Sequence, residues 1–232
     1  MSLPSYPQNH FLQDNTKLKR LFSFYFKLWG LYILFAIAFG ILATYYPEFK
    51  NEDYEQTFLK KLLDESPLQL FVLAVIFAPI IEEMMFRTLI RPSHNDLMLF
   101  ITAWPIFYVN RFIPVDVHWV VKIVFIAVFL FTVYYLLIQG IPERKTLRLR
   151  NFLERQAWAV LVITSLIFGL VHINNYVDEF AVDLALFMLI VPRILSGWMM
   201  GLLKLRNKHL IWSIALHALN NGVVVLIMIW AR

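Results

Sequence analysis

The sequence predicts an all-α, polytopic membrane protein with about seven transmembrane helices. Of its 232 residues, 60% are hydrophobic and 16% are charged, whereas soluble domains carry about 45–50% apolar and about 25% charged residues. The mean hydropathy is +0.65. The apolar residues also form long stretches, and most of these reach the roughly 20 residues that a helix needs to cross the hydrocarbon core of a bilayer.

The apolar stretches predict the spans in chain order. They cover about 22–46, 67–90, 97–109, 119–139, 157–176, 181–203 and 210–230. The first stretch continues apolar to Tyr46, which is too long for a cleaved signal peptide, so we expect a retained span. The third stretch is short and contains Pro105, so it is either a seventh crossing or a re-entrant segment. Residues 1–20 are polar and are predicted to form a cytoplasmic tail, followed by one multi-spanning domain over 21–232.

Charged residues predict the orientation of the chain in the cell membrane. With seven crossings, the basic segments share one side, namely the tail, Arg87 and Arg91, loop 140–156, and Lys204, Arg206 and Lys208. The acidic loop 47–66, Asp178 and Glu179 fall on the other side. The positive-inside rule then places the N-terminus in the cytoplasm and the C-terminus outside. The same clustering explains the net charge of +5 without a nucleic-acid partner.

Two adjacent carboxylates, Glu82 and Glu83, lie inside the second predicted span. A charged side chain at the bilayer centre costs about 2.5–3.5 kcal/mol on insertion scales, so the doublet indicates a function or a partner. Arg87 follows Glu83 by one helical turn and can pair with it. Glu82 lies about 100° around the helix and remains available for chemistry. The alternative is a structural ion pair near a helix end.

Other polar side chains lie in two further apolar spans. Phe168 precedes His172 by one turn, and His217 precedes Asn221 by one turn. Taken alone, each is explained by packing or by hydrogen bonding between helices. Together with the glutamates they supply carboxylate, imidazole and amide groups, which suit hydrolysis by an activated water and stabilisation of an oxyanion. We therefore predict that they meet in an intramembrane catalytic cavity.

Some familiar hydrolase motifs are absent from the sequence. It contains no H-E-x-x-H zinc motif, no G-x-S-x-G nucleophile motif and no cysteine. Glu82, His172 and His217 could still form a zinc site of the His/His/carboxylate type. The sequence leaves a metal-bound and a metal-free water as alternatives.

The three motifs resemble those of the CAAX-protease and bacteriocin-processing family of intramembrane proteases, also called CPBP or Abi. That family carries E-E-x-x-x-R, F-x-x-x-H and H-x-x-x-N on separate helices, in the order found here over about 68–230. The resemblance implies that Glu82, assisted by His172, activates water and that His217 and Asn221 stabilise the oxyanion. It implies supporting roles for Glu83 and Arg87, and Phe168 opens the second motif.

Two features depart from a simple match to that family. The first two motifs are separated by an extra segment, 97–139, which we interpret as an inserted helical pair. In addition, Glu82 lies late in a span that runs inward, whereas His172 lies late in a span that runs outward. At 1.5 Å of helix rise per residue, their depths should differ by on the order of 10 Å. Either the fifth span starts deeper, with 147–157 as a helical extension, or the predicted ends are wrong.

The expected function is an intramembrane endopeptidase that acts on a membrane-associated, prenylated or otherwise lipidated protein or peptide. The alternatives are a catalytically silent scaffold or bacteriocin-immunity protein of the same fold, and an ion-coupled transporter. A transporter would usually show paired repeats with broken helices, which the sequence lacks. We further expect Arg193 to point inward to a carboxylate, and the pair Gly197 and Gly201 to mark close helix packing.

Overall fold

The computed structural model describes residues 10–46, 54, 56–109, 112–114, 116–177 and 183–231. The regular structure in these ranges is all helical, as predicted. Its α-helices are α1 His10–Tyr45, α2 Thr57–Glu65, α3 Pro67–Phe71, α4 Ala78–Phe86, α5 His94–Ala103, α6 Ile106–Val109, α7 Trp119–Gly140, α8 Glu143–Arg155, α9 Ala157–Val171, α10 Leu184–Asn207 and α11 Leu210–Trp230. A π-helical segment, Val72–Phe77, joins α3 to α4, and a 3₁₀ turn, His172–Asn175, extends α9.

Six helical stretches among the described residues are long and apolar enough to cross a membrane. They are Asn15–Tyr45, Pro67–Phe86, Trp119–Gly140, Ala157–Asn175, Leu184–Asn207 and Leu210–Trp230. Their mean hydropathies lie between 1.8 and 2.5. The chain is therefore a multi-pass membrane protein, although one of the seven predicted spans is not a membrane-length helix.

The exception is the predicted third span, 97–109, which is divided between α5 and α6. Pro105 has no N–H to continue the helix, so α5 ends just before it. With ten residues, α5 is about 15 Å long, half the thickness of the hydrocarbon core. The pair still connects the two ends of the molecule. His94 of α5 hydrogen-bonds Thr146 of α8, whereas α6 lies beside Trp119, at the far end of α7.

Contacts between helix ends show that the basic segments share one end of the molecule. Asn207 Nδ2 at the end of α10 donates to the carbonyl oxygen of Lys17 in α1, at 3.2 Å. Lys204 Nζ donates to the carbonyl oxygen of Arg87, at 2.9 Å. This grouping agrees with the predicted alternation of loops. Which end faces the cytoplasm stays a prediction.

Part of the predicted N-terminal tail is helical. Helix α1 begins at His10, so residues 10–20 belong to it. Within α1, Leu21 and Leu28 are buried against α10 and α11, and Asn207 binds the backbone at Lys17. Whether residues 1–20 form a cytoplasmic tail stays a prediction. Residues 1–9 lie outside the described part of the chain. So do most acidic residues of loop 47–66, as well as Asp178 and Glu179.

Glycines bring α9 and α10 into close contact, as the spacing of Gly197 and Gly201 predicted. A Cβ atom on Gly201 would collide with the end of the Leu161 side chain in α9, which would have to move. A Cβ atom on Gly197 would lie 3.1 Å from Phe168 Cδ1. The close approach carries the His172 end of α9 towards the glutamates of α4.

Candidate active site

The helix that carries the glutamates is widened one turn before them. Pro79 has no N–H, and its ring would clash with the carbonyl four residues earlier in a regular α-helix. The preceding segment, Val72–Phe77, is instead π-helical, and Ala78 N–H donates to the carbonyl of Leu73, five residues back. With the same five-residue spacing, the carbonyl of Ala74 would accept a hydrogen bond from the N–H of residue 79. Residue 79 is proline and has no N–H to donate. The partner of the Ala74 carbonyl is Asn221 of α11, whose Nδ2 donates to it at 2.9 Å.

Glu83 lies at the centre of a fully buried polar cluster. Its Oε2 atom is 3.4 Å from Arg87 Nε, and both side chains are 0% exposed. Its Oε1 atom is 3.0 Å from Nδ1 of His217. Because a carboxylate paired with arginine only accepts hydrogen bonds, His217 Nδ1 carries the proton. In the neutral ring the Nε2 atom of His217 therefore has a free lone pair.

Glu82 faces away from this buried cluster and towards a cavity, and 27% of its side chain is exposed. Its Oε2 atom lies 3.8 Å from Nε2 of His172 and 3.8 Å from Nε2 of His217. These separations are too long for direct hydrogen bonds. They are of the size that a single bridging water spans. The structure thus brings together the carboxylate and both imidazoles from three helices.

Phe168 holds both imidazoles in place. The backbone carbonyl of Phe168 accepts a hydrogen bond from His172 Nδ1 at 2.6 Å, which leaves His172 Nε2 unprotonated and facing Glu82. Its ring lies 4.7 Å from the ring of His172 and 5.7 Å from the ring of His217. The guanidinium carbon of Arg87 lies 4.4 Å from the same ring, a cation–π contact. Phe168 therefore has more contacts in the site than the sequence indicated.

The predicted difference in depth between Glu82 and His172 is absent. A Cβ on Gly201 would touch both Leu161 and Ile90, so the turn after α4 lies level with the second turn of α9. Arg87 and Ile90, which follow α4, are both fully buried. Glu82 Oε2 and His172 Nε2 are 3.8 Å apart, so the two residues meet despite their places in the predicted spans. As for the two explanations offered for the difference, residues 147–155 are helical, but they belong to α8, which ends at Arg155 and is separate from α9.

Two cavities meet at Glu82 and His172. One, the polar cavity, has a volume of about 610 Å³ and a mixed lining whose polar members include Asn221 and Arg193. The other has a volume of about 920 Å³ and is mostly apolar, with Phe77, Ile106, Phe107 and Ile126 among its lining residues. Sequence reasoning missed the polar residues Gln56, Asn174, Asn175 and Tyr176 in the first cavity. Asn174 and Asn175 follow His172 directly at the end of an apolar span, a signal that could have identified them.

Arg193 lines the cavity that contains the Glu82 carboxylate, in line with the expectation that it points inward, but the two side chains do not form a direct ion pair. Within the described ranges no carboxylate lies within ion-pair distance of it. The side chain lines the polar cavity together with Glu82, His172 and Asn221. It places a positive charge in the wall of the candidate site.

The distances in the site can be compared with those of a zinc centre. Zinc ligands at about 2.0–2.2 Å from the metal lie roughly 3.3–3.5 Å from one another. Here Glu82 Oε2 is 3.8 Å from each imidazole nitrogen. Over the parts of the chain that the structure describes, no three His, Cys, Asp or Glu residues are placed to hold a metal ion. Zinc binding by Glu82, His172 and His217 stays a prediction.

Comparison with known proteins gives one match. A family model described as type II CAAX prenyl endopeptidase Rce1-like matches residues 64–223, more than half of the chain. The matched range contains both glutamates, both cavity histidines and Asn221. Searches of curated proteins and of solved structures gave no significant match.

Proposed function

The chain belongs to the type II CAAX prenyl endopeptidase Rce1-like family, and on that premise we propose that it is an intramembrane endopeptidase that hydrolyses a peptide bond of a lipidated, membrane-associated protein or peptide. The observation that carries this proposal is the position of Glu82. Its carboxylate faces a cavity and lies 3.8 Å from the Nε2 atoms of His172 and His217. A scaffold or immunity protein would have no need of this arrangement.

Glu82 is the proposed general base. A water between Glu82 Oε2 and His172 Nε2 transfers one proton to the carboxylate, and its other hydrogen is oriented by the His172 lone pair. The water oxygen attacks the carbonyl carbon of the scissile peptide bond. Glu82 then returns the proton to the leaving nitrogen as the C–N bond breaks. Water and peptide bond are thereby converted into a carboxylic acid and an amine without a covalent enzyme intermediate.

The oxyanion is assigned to Asn221 and His217. Asn221 uses one amide hydrogen on the carbonyl of Ala74, and its second amide hydrogen remains for the substrate oxygen. The Nδ1 atom of His217 already carries a proton, which it donates to Glu83. His217 can therefore donate from Nε2 only in the form with protons on both ring nitrogens, and the adjacent Glu83 carboxylate stabilises that form. The positive charge of Arg193 in the cavity wall favours negative charge on the substrate in the same space.

The two cavities suggest how a lipidated substrate is held. The apolar cavity of about 920 Å³ suits a prenyl or other hydrocarbon chain, and the polar cavity of about 610 Å³ suits the peptide. Both meet at Glu82, where the bond is cut. Residues of α6 and α7 form much of the apolar wall, which gives the extra segment 97–139 a role in substrate selection.

The proposal is tested with purified full-length protein in lipid nanodiscs and a matched set of peptides with and without a farnesyl group. The wild type should cleave the lipidated peptide faster, and Glu82→Gln should cleave neither. Exhaustive chelation should leave wild-type cleavage intact, because no metal takes part. Cleavage that is lost on chelation and restored by zinc would replace the metal-free mechanism. Absence of cleavage for every peptide, with intact folding, would favour a scaffold.

A further inference from the structure

Helix α8 occupies a position typical of an interfacial helix. It links the end of α7 to the start of α9, two membrane-length helices, and its 13 residues pack against α5 and α9. It is too short and too polar to cross the bilayer. A basic amphipathic helix between the ends of two spans lies in the plane of the lipid headgroups.

The exposed side of α8 is strongly basic. Arg144, Arg148 and Arg155 fall on one side of the helix, and all three are exposed. Among the described residues, the ion pair on α8 is between Arg150 and Glu143, at 2.9 Å, and it does not involve these three. Beside this basic side, Phe152 is 60% exposed, which is unusual for a large aromatic residue unless lipid or a partner covers it.

An apolar cleft lies under the basic side of α8. It has a volume of about 370 Å³ between α5 and α8, and its lining includes Met98, Ile101 and Leu149. Lys145 is the charged residue in the lining of this cleft. Ile101 and Leu149 are 43% and 49% exposed, so the cleft is open towards the surroundings of the helices.

A hydrogen bond closes the polar end of this cleft. The hydroxyl of Thr146 donates to the carbonyl oxygen of Glu143 at 2.8 Å. His94 Nδ1 must therefore be the donor in its 3.0 Å contact with the Thr146 oxygen. This link fixes α8 to the start of α5, so the cleft has rigid walls.

We propose that the cleft and the basic side of α8 bind one anionic phospholipid of the surrounding leaflet. An acyl chain lies along Met98, Ile101 and Leu149, and the phosphate lies against Lys145, which lines the cleft, and the exposed Arg148, which follows Lys145 by about one helical turn outside the cleft. Apolar walls with cationic side chains at the rim match an anionic lipid better than a zwitterionic one. The site is separate from the two cavities at Glu82.

The test is lipid retention by purified full-length protein, measured by native mass spectrometry after exchange into equimolar phosphatidylglycerol and phosphatidylcholine. The wild type should retain one phosphatidylglycerol severalfold more often than phosphatidylcholine. K145A/R148A should abolish that preference, whereas K60A/K61A on α2, with the same change in charge, should leave it unchanged. Leu149→Gln, which keeps the charge, should lower retention of both lipids.

Three results would overturn the proposal. Equal retention of the two lipids by the wild type would show that no anionic lipid is selected. An equal loss in K60A/K61A would show that net charge, rather than a site on α8, sets the preference. Unchanged retention in Leu149→Gln would show that the headgroup binds at the surface without a chain in the cleft. None of these measurements uses peptide cleavage. The lipid-retention result can therefore be interpreted even if the endopeptidase proposal fails.

Discussion

Glu82 and Glu83 are adjacent in α4, yet their surroundings differ in every respect that the structure records. Glu83 is 0% exposed, and its two oxygens face Arg87 and His217. Glu82 is 27% exposed, its Oε2 atom has no hydrogen-bond partner among the described residues, and it faces a cavity. The helix turns by about 100° between them, which directs one carboxylate into packed protein and the other towards a substrate. Neighbouring residues of one type can therefore have separate tasks, one stabilising the site and one reacting.

The largest expected effect is on catalysis at Glu82. Glu82→Gln keeps the size of the side chain but removes the base, so peptide cleavage should fall by about 10²–10⁴-fold, the usual contribution of a general base. Thermal stability in detergent should stay close to the wild-type value, because no hydrogen bond is lost. A melting curve and a cleavage assay on the same preparation check both halves. Normal cleavage by this variant would remove Glu82 from the mechanism.

Glu83→Gln should affect stability first. It leaves Arg87 fully buried without its counter-charge, and breaking a buried pair costs about 3–5 kcal/mol. The melting temperature should fall sharply, and activity should fall with it because His217 Nδ1 then faces a neutral amide instead of a carboxylate. The double variant E83Q/R87M removes the orphaned charge and should recover part of the stability without recovering activity. A stable but inactive Glu83→Gln would mean that the two glutamates exchange roles.

Asn221→Ala should reduce both properties by smaller amounts. The carbonyl of Ala74 loses its donor, and an unsatisfied buried acceptor costs about 1–3 kcal/mol. If the second amide hydrogen also binds the oxyanion, kcat should fall while KM changes little. Asn207→Ala is the matched control, since it removes a comparable amide-to-carbonyl hydrogen bond, to Lys17, away from the candidate site. Equal losses of kcat in the two variants would exclude the oxyanion role.

Gly197→Ala should have the smallest effect and should act through Phe168. The added methyl group would lie 3.1 Å from Phe168 Cδ1 and 3.2 Å from Arg87 Nη2, so these side chains must move by a few tenths of an ångström, at a cost of about 1 kcal/mol, the lower end of the range for overpacking. Gly222→Ala is the matched control, because its methyl group meets Val75 at an ordinary 3.6 Å. Both variants gain the same helix propensity, so the difference in melting temperature isolates the contact. No difference would mean that the packing around Phe168 is loose.

The sequence was most informative where an interaction is local. The pair of Glu83 and Arg87 follows from a spacing of one helical turn, and the close packing at Gly197 follows from small residues four apart. The hydrogen bond from His217 to Glu83 spans 134 positions, so no local pattern predicts which glutamate the imidazole contacts. The widened turn before Pro79 could not be located from hydropathy, because a π-helical turn and an α-helical turn are equally apolar. The carboxylate nearest in function to Arg193 could not be named from the sequence, because Glu82, which shares its cavity, lies 111 positions away.

The most direct test of the central claim is whether Glu82 and His172 meet in one cavity. The chain has no native cysteine, so pairs of cysteines can be introduced without background. The variant E82C/H172C, treated in native membranes with a short bismaleimide, should form an internal cross-link that blocks later labelling of both thiols. I80C/H172C is the control, since Ile80 is 39% exposed on α4 and lines neither cavity. Efficient cross-linking of 82 with 172 and little of 80 with 172 is the result that the account predicts, and the reverse would contradict it.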